Sequence, residues 1–244
     1  MNKQVYKTAE QLSVELAEWI TSLIEETLTR QPRFCIALSG GNTPKRLNEL
    51  LAGSPYRDRI DWKKIHVFFG DERAVPFEDE RNNARMAFDT LLNKVDVPGN
   101  QIHIMDTKLS PEKAAAQYEI ILRQNFANGS ESFPKTTFDL ILLGMGDDGH
   151  TLSLFPGTPV IHEEKSWATS LFLPAQEMFR ITITKIVANL ANHVVFMIAG
   201  SGKAHAVHEV LQGEYNPDLY PSQVIEPLYG ELHFFMDEAA AAEL

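Results

Sequence analysis

The chain is poor in cysteine, with Cys35 alone among 244 residues. An intramolecular disulfide is therefore excluded, and Cys35 lies inside the apolar run Phe34-Cys35-Ile36-Ala37-Leu38, which reads as a buried strand. Long hydrophobic runs are missing too. The longest, such as Val194 to Ala199, fall far short of the ~20 apolar residues that span a bilayer. Met1-Asn2-Lys3-Gln4-Val5-Tyr6 lacks an apolar signal core, so the expected compartment is the cytoplasm. Positive charge is scarce: 22 basic residues face 33 acidic ones, a formal charge of −11. That disfavours nucleic-acid and anionic-membrane partners, and means that an anionic ligand must be met by a local cluster of cations. Several motifs are also absent. There is no Walker spacing and no G-x-S-x-G elbow for a nucleophilic serine. His205 and His208 stand beside Glu209 without the H-E-x-x-H order or an evident third ligand, so no metal is expected.

What is present is alternation. Ala9 to Leu28 places Leu12, Leu16, Trp19, Ile20, Leu23 and Ile24 at helical spacing with glutamates between them, the pattern of an amphipathic helix. Strand-like runs then alternate with helical ones: Arg33–Leu38, Pro44–Ala52, Ile65–Phe69, Asn82–Leu92, Ile102–Met105, Pro111–Phe126, Phe138–Leu143. After a less regular stretch to about Phe172 come strand-like Arg180–Thr184, helix-like Lys185–Asn192, strand-like His193–Ala199 and helix-like Lys203–Leu211. Asn128–Ser132 reads as an exposed loop and Ala239–Ala242 as a terminal helix. The order predicts a single α/β domain over residues 1–244: a Rossmann-like parallel sheet with helices on both faces, and a smaller irregular or β subregion.

Four strand-like runs end in loops of functional type, and in a parallel sheet such loops share one edge, where ligands bind. Gly144-Met145-Gly146-Asp147-Asp148-Gly149-His150-Thr151 presents a histidine on a glycine-rich turn just past Phe138–Leu143. Histidine moves protons near neutral pH. Gly144, Gly146 and Gly149 match G-x-G-x-x-G literally, but a dinucleotide site needs a helix at once, and here the chain runs into Pro156-Gly157. In Ser39-Gly40-Gly41-Asn42-Thr43-Pro44, Thr43 is expected to cap a helix that starts at Pro44, leaving amides around Gly40, Gly41 and Asn42 for an anion. A plain capped turn explains that loop equally well. Gly70-Asp71-Glu72-Arg73 sets a guanidinium beside two carboxylates suited to orient it, either to clamp phosphate or to stabilise developing negative charge, although alone it reads as a solvated charge cluster. Lys203, after Gly200-Ser201-Gly202, marks a second anion position or an ordinary surface lysine.

Together these segments, with Asp71-Glu72-Arg73-Ala74-Val75-Pro76 followed by Asn83, Gly144 to Gly157, Arg180-Ile181-Thr182 and Gly200-Ser201-Gly202-Lys203-Ala204, closely resemble the 6-phosphogluconolactonase family across almost the whole chain. The resemblance implies the sugar-phosphate isomerase-like fold and hydrolysis of a phosphorylated sugar lactone in the oxidative pentose phosphate pathway, with no cofactor. It implies a general-base role for His150 and a supporting one for Asp148. Arg73, Arg180 and Lys203 would then hold the phosphate or the oxyanion, with Ser39 to Thr43 and Asp71 completing the site. The sequence leaves open which cation does which, and whether the protein is a monomer or a small homo-oligomer. Asn42 and Asn82 stand where the family often has Ser, and Leu152 where it often has Ala.

Two rivals share the resemblance. Glucosamine-6-phosphate deaminases carry a Glu soon after the histidine and an aromatic after the Asp-Glu pair; this chain has Thr151-Leu152-Ser153-Leu154-Phe155 and Arg73 instead. Sugar-phosphate-sensing domains of repressors are expected to carry a DNA-binding extension and a basic face; with no spare length before the first amphipathic helix and a charge of −11, sensing is expected only through a partner protein.

Overall fold

The computed structural model describes residues 1–129 and 133–244. In chain order the elements are β1 (Asn2–Tyr6), α1 (Ala9–Leu28), β2 (Phe34–Leu38), α2 (Asn42–Leu51), α3 (Tyr56–Arg59), β3 (Ile65–Phe69), β4 (Asp71–Arg73), α4 (Asn83–Ala87) and α5 (Pro111–Phe126). There follow β5 (Leu140–Leu143), β6 (Ala168–Leu173), β7 (Met178–Ile183), α6 (Lys185–Ala188), β8 (His193–Ile198), α7 (Ala204–Leu211) and β9 (Glu231–Asp237). Six strands form one sheet in the order β1-β9-β8-β5-β2-β3, with every pairing parallel. A second sheet, β4-β7-β6, is antiparallel, the smaller β subregion expected.

The central strands are apolar because both of their faces are covered. Phe34, Ile36 and Leu38 enter a core with α1 and α2, whereas Cys35 and Ala37 enter the other core with Tyr118 and Leu122 of α5. The period of two repeats in β5, where Leu140 and Leu142 face the first core and Ile141 and Leu143 the second. Burial pushes the Cys35 thiol up to about 12, so it stays protonated and acts as a small core residue.

Sheet order fixes the site. From β2 the chain moves outward to edge strand β3, then returns to β5 on the other side of β2 and continues through β8. The connections leaving β2 and β5 therefore diverge, and a crevice opens between the carboxyl ends of these neighbours.

Several expectations need correction. Ile102–Met105 is no strand; Ile102 makes a single bridge to Val67, and Ile104 is exposed. Asn82–Leu92 is helical as expected, α4 capped by the Asn82 side chain running into a π-helical turn over Phe88–Leu92. Lys185–Asn192 is only the one turn of α6. Ala239–Ala242 forms turns, with Ala240 in the core and its amide donated to Asp237 Oδ1, a run too short to sustain a helix. Asn128 and Gly129 do form a turn, each with positive φ; the rest of that expected loop, Ser130 to Ser132, lies outside the described residues. Among the described residues, no helix is long and apolar enough to cross a membrane.

Candidate active site

A crevice of about 270 Å³ lies at the carboxyl edge of β2 and β5. Ser39, Gly40, Asp71, Arg73, His150, Arg180 and Lys203 all line it, so residues as far apart in sequence as Ser39 and Lys203 converge.

His150 is held by its own turn. Asp148 Oδ1 lies 2.6 Å from His150 Nδ1 and also accepts the His150 backbone amide at 3.0 Å. Burial works to raise the Asp148 carboxyl, but the bonds from the His150 ring and backbone outweigh it and hold the group below the usual carboxylate range. An ionised carboxylate only accepts, so the imidazole proton sits on Nδ1 and the lone pair on Nε2. Phe155 stacks on the ring at a centroid distance of 4.0 Å, which fixes its plane. Gly146 is required here. A Cβ at that position would come 2.1 Å from His150 Nδ1 and 2.4 Å from Asp148 Oδ1. Gly149 adopts φ +74°, the left-handed conformation that lets the turn reverse.

Arg73 and Arg180 come from the second sheet, not from loops. They are directly paired residues of β4 and β7, so two guanidinium groups sit side by side, an arrangement that repels unless negative charge joins them. Gly70-Asp71-Glu72-Arg73 is thus a glycine followed by a strand; the expectation of a loop fails because Arg180-Ile181-Thr182 pairs with it. Arg180 is 7% exposed; its Nη2 donates to Gln176 Oε1 at 2.5 Å, and Asp71 Oδ2 lies 3.8 Å from Nη1. Burial, reinforced by Arg73, lowers the Arg180 pKa against the opposing pull of Asp71. Arg73 Nη1 donates to the Arg81 carbonyl at 2.7 Å. The Nε atoms of both arginines are buried without a hydrogen-bond partner.

The carboxylates of that segment do other work than expected. Asp71 is buried, accepts from Ser153 Oγ at 2.6 Å and faces Asn83 Nδ2 at 3.3 Å; it serves Arg180 rather than Arg73. Glu72 leaves the crevice entirely. Its oxygens accept the amides of Arg73, Asn83 and Ala84 at 2.7–2.8 Å, so it anchors the amino end of α4 to β4.

Burial pushes the Glu72 carboxyl up to about 7 from its ordinary 4.5, against the three amides that favour its anion. Between those values the folded chain binds a proton that the unfolded chain releases, so this residue's contribution to stability grows as pH falls through the window and shrinks as it rises. Glu72→Gln is expected to remove that component and to cost about 1–3 kcal/mol, because an amide NH₂ cannot accept from backbone N–H. Thermal unfolding of both proteins across the window checks this. The same pH dependence in both would rule it out.

The first loop is corrected as well. α2 begins at Asn42 with Gly41, at φ +108°, as its cap residue, so the helix starts two residues before the expected Pro44 and Thr43 makes no side-chain cap. Ser39 and Gly40 line the crevice, while Gly41, Asn42 and Thr43 do not; Gly41 and Asn42 are exposed at its rim. Gly40 admits no side chain, since a Cβ there would lie 1.9 Å from Asn83 Oδ1. Lys203 ends a 3₁₀ turn, Ser201–Lys203, that leads into α7.

Sequence reasoning did not select Asn83, Gln176, Leu152 or Phe155 for the site. All four line the crevice. Leu152, a departure from the resembled pattern, has φ +53° and packs against Gly70, where a Cβ would meet its Cδ2 at 2.7 Å. The signal for Gln176 was weak: nothing local marks a glutamine before Arg180 until β6 and β7 pair as a hairpin.

Comparison with known proteins adds an independent line. Residues 7–234 match the family model described as glucosamine-6-phosphate isomerases/6-phosphogluconolactonase. A curated relative from Synechocystis sp., named 6-phosphogluconolactonase, is 42% identical over 92% of this chain and 90% of its own length. A probable 6-phosphogluconolactonase 4, chloroplastic, from Oryza sativa subsp. indica is 38% identical over 98% of this chain and 76% of its own. Among solved structures, 6-phosphogluconolactonase from Trypanosoma cruzi superposes with a TM-score of 0.85 at 27% identity, covering 100% of this chain and 96% of that one.

Proposed function

Since the chain belongs to the family of glucosamine-6-phosphate isomerases and 6-phosphogluconolactonases and is the lactone hydrolase its relatives are named for, we propose that His150 activates the water that opens the lactone. The reaction is hydrolysis of 6-phospho-D-glucono-1,5-lactone to 6-phospho-D-gluconate, the second step of the oxidative pentose phosphate pathway. Water adds to C1 while His150 Nε2 takes its proton, and the resulting imidazolium is stabilised by the Asp148 carboxylate on Nδ1. The carbonyl becomes an oxyanion. Its collapse breaks the bond from C1 to the ring oxygen, and the imidazolium returns the proton to that oxygen as it leaves. The carboxylic acid then loses its own proton to solvent.

The observation that carries this reading is the Arg73–Arg180 pair. Two adjacent guanidiniums, each with a buried unpartnered Nε, face the crevice that holds His150, in a protein of net charge −11. A doubly charged phosphate relieves their repulsion and satisfies their donors. Lys203 and the exposed rim at Gly41 and Asn42 are assigned to the same anion, and the cytoplasm is the proposed compartment. The deaminase alternative lacks its acid, because Thr151 to Gly157 contains no carboxylate. Parallel assays of lactone hydrolysis and of ammonia release from glucosamine 6-phosphate test the reading: hydrolysis alone is expected, and ammonia release without hydrolysis would overturn it.

No metal enters this mechanism, so exhaustive chelation is expected to leave the rate of hydrolysis unchanged. A metal whose removal and return switched activity off and on would refute that.

A further inference from the structure

At the opposite edge of the large sheet, far from the crevice, three potential metal ligands share one face. His193 and Glu231 are direct partners in the parallel pair β8–β9, and His233 lies two residues beyond Glu231, so the period of two turns all three side chains the same way. His193 opens β8 opposite Leu140, the first residue of β5, whereas the His150 turn leaves β5 after Leu143. The two sites therefore sit at opposite ends of the same strands.

We propose that His193 Nδ1, His233 Nε2 and a Glu231 carboxylate oxygen form a zinc site. Two imidazoles and a carboxylate are a typical set for this borderline cation. The spacing fits. Ligand atoms ~2.0–2.1 Å from a tetrahedral zinc stand ~3.3–3.4 Å apart, and here His193 Nδ1 lies 3.5 Å from His233 Nε2, which lies 3.2 Å from Glu231 Oε2. The three atoms fall within 4.8 Å of one another. At 3.5 Å the two ring nitrogens are too far apart for a strong hydrogen bond.

The surroundings suit a bound cation. Asn2 pairs with His233 across β1–β9, and its amide NH₂ lies 3.5 Å from His233 Nδ1 and donates to Glu231 Oε2 at 3.4 Å. Trp19 of α1 covers the cluster, its ring centred 5.0 Å from His233 and 5.8 Å from His193. His193 and Glu231 also border a groove of about 330 Å³, which provides entry and room for a water as fourth ligand. Zinc here would tie β8 to β9 without touching the reaction.

Calorimetric titration of the chelator-dialysed full chain with ZnCl₂ tests the proposal. Wild-type protein and His150→Ala should each show a single saturable site and a raised Tm with zinc. Glu231→Gln and His193→Asn, which leave the crevice intact and should retain lactone hydrolysis, are expected to weaken zinc at least about tenfold, since even an outer partner's loss costs that much. Cobalt should quench Trp19 fluorescence in the wild type and not in Trp19→Phe. Absence of a saturable site, or binding that Glu231→Gln and His193→Asn leave unchanged, overturns the assignment; binding lost in His150→Ala places the metal in the crevice instead and overturns it equally.

Discussion

Replacement of His150 by alanine is expected to leave the protein folded and to slow lactone hydrolysis by at least about a hundredfold, the lower end of what a general base contributes. The loss should fall on kcat, because the proposed general base acts on water rather than on the phosphate. Folding should survive, since the ring is partly exposed and its contacts are local: Asp148 two residues back and Phe155 five residues on. Asp148→Asn offers a finer test. An asparagine carbonyl still accepts from Nδ1–H but carries no charge to stabilise the imidazolium, and its NH₂ can hold the wrong tautomer. Its kcat should therefore drop while KM changes little. Turnover near that of the wild type in a folded His150→Ala would remove this residue from the mechanism.

Loss of any one of the cations Arg73, Arg180 and Lys203 is expected to reduce kcat/KM for the phosphorylated lactone by about tenfold to a hundredfold, from the ~1.5–3 kcal/mol of a charge-assisted hydrogen bond. Unphosphorylated gluconolactone should lose far less. Arg73→Ala and Lys203→Ala are the clean variants. For Arg180, which is buried against Asp71 and Gln176, Arg180→Gln keeps much of the volume and a donor for Asp71. The diagnostic quantity is the ratio of the two substrates' kcat/KM values in each variant. Equal losses for both lactones would move that cation to the carbonyl oxyanion or to folding, and a phosphate bound away from all three would defeat the assignment.

Zinc, if bound as inferred, divides the molecule functionally. Chelation should lower thermal stability through β8 and β9 while the catalytic edge keeps its rate. The two predictions are compatible because parallel strands carry the sites at opposite ends.

Much of this protein was legible in order along the chain. Residues buried on both faces are mostly apolar, so Phe34–Leu38, Ile65–Phe69 and His193–Ile198 stood out as strands despite His66 and His193, and α1 and α5 stood out by their periodicity. The His150 turn was legible because glycine at Gly146 and Gly149 has local causes, a close approach and a positive φ, that any reading of the sequence can anticipate. What depends on distant partners was not. β1 and β9 lie near the two chain ends and pair only with each other and β8, β6 needs β7, and the turn of Asp71–Arg73 into a strand needs Arg180 as its partner. The same holds for side-chain roles. Asp71 and Glu72 are adjacent and chemically alike, yet one meets Ser153 and Arg180 and the other the amino end of α4, because successive residues of a strand point to opposite faces. Residue types and their sequence spacing thus determined the central strands, the glycine-rich turn that carries His150, and where Arg73, Arg180 and Lys203 stand along the chain. Only the tertiary structure decided that Arg73 and Arg180 share one crevice with unsatisfied donors, and that His193, Glu231 and His233 share one face, since both depend on cross-strand register that no local sequence encodes.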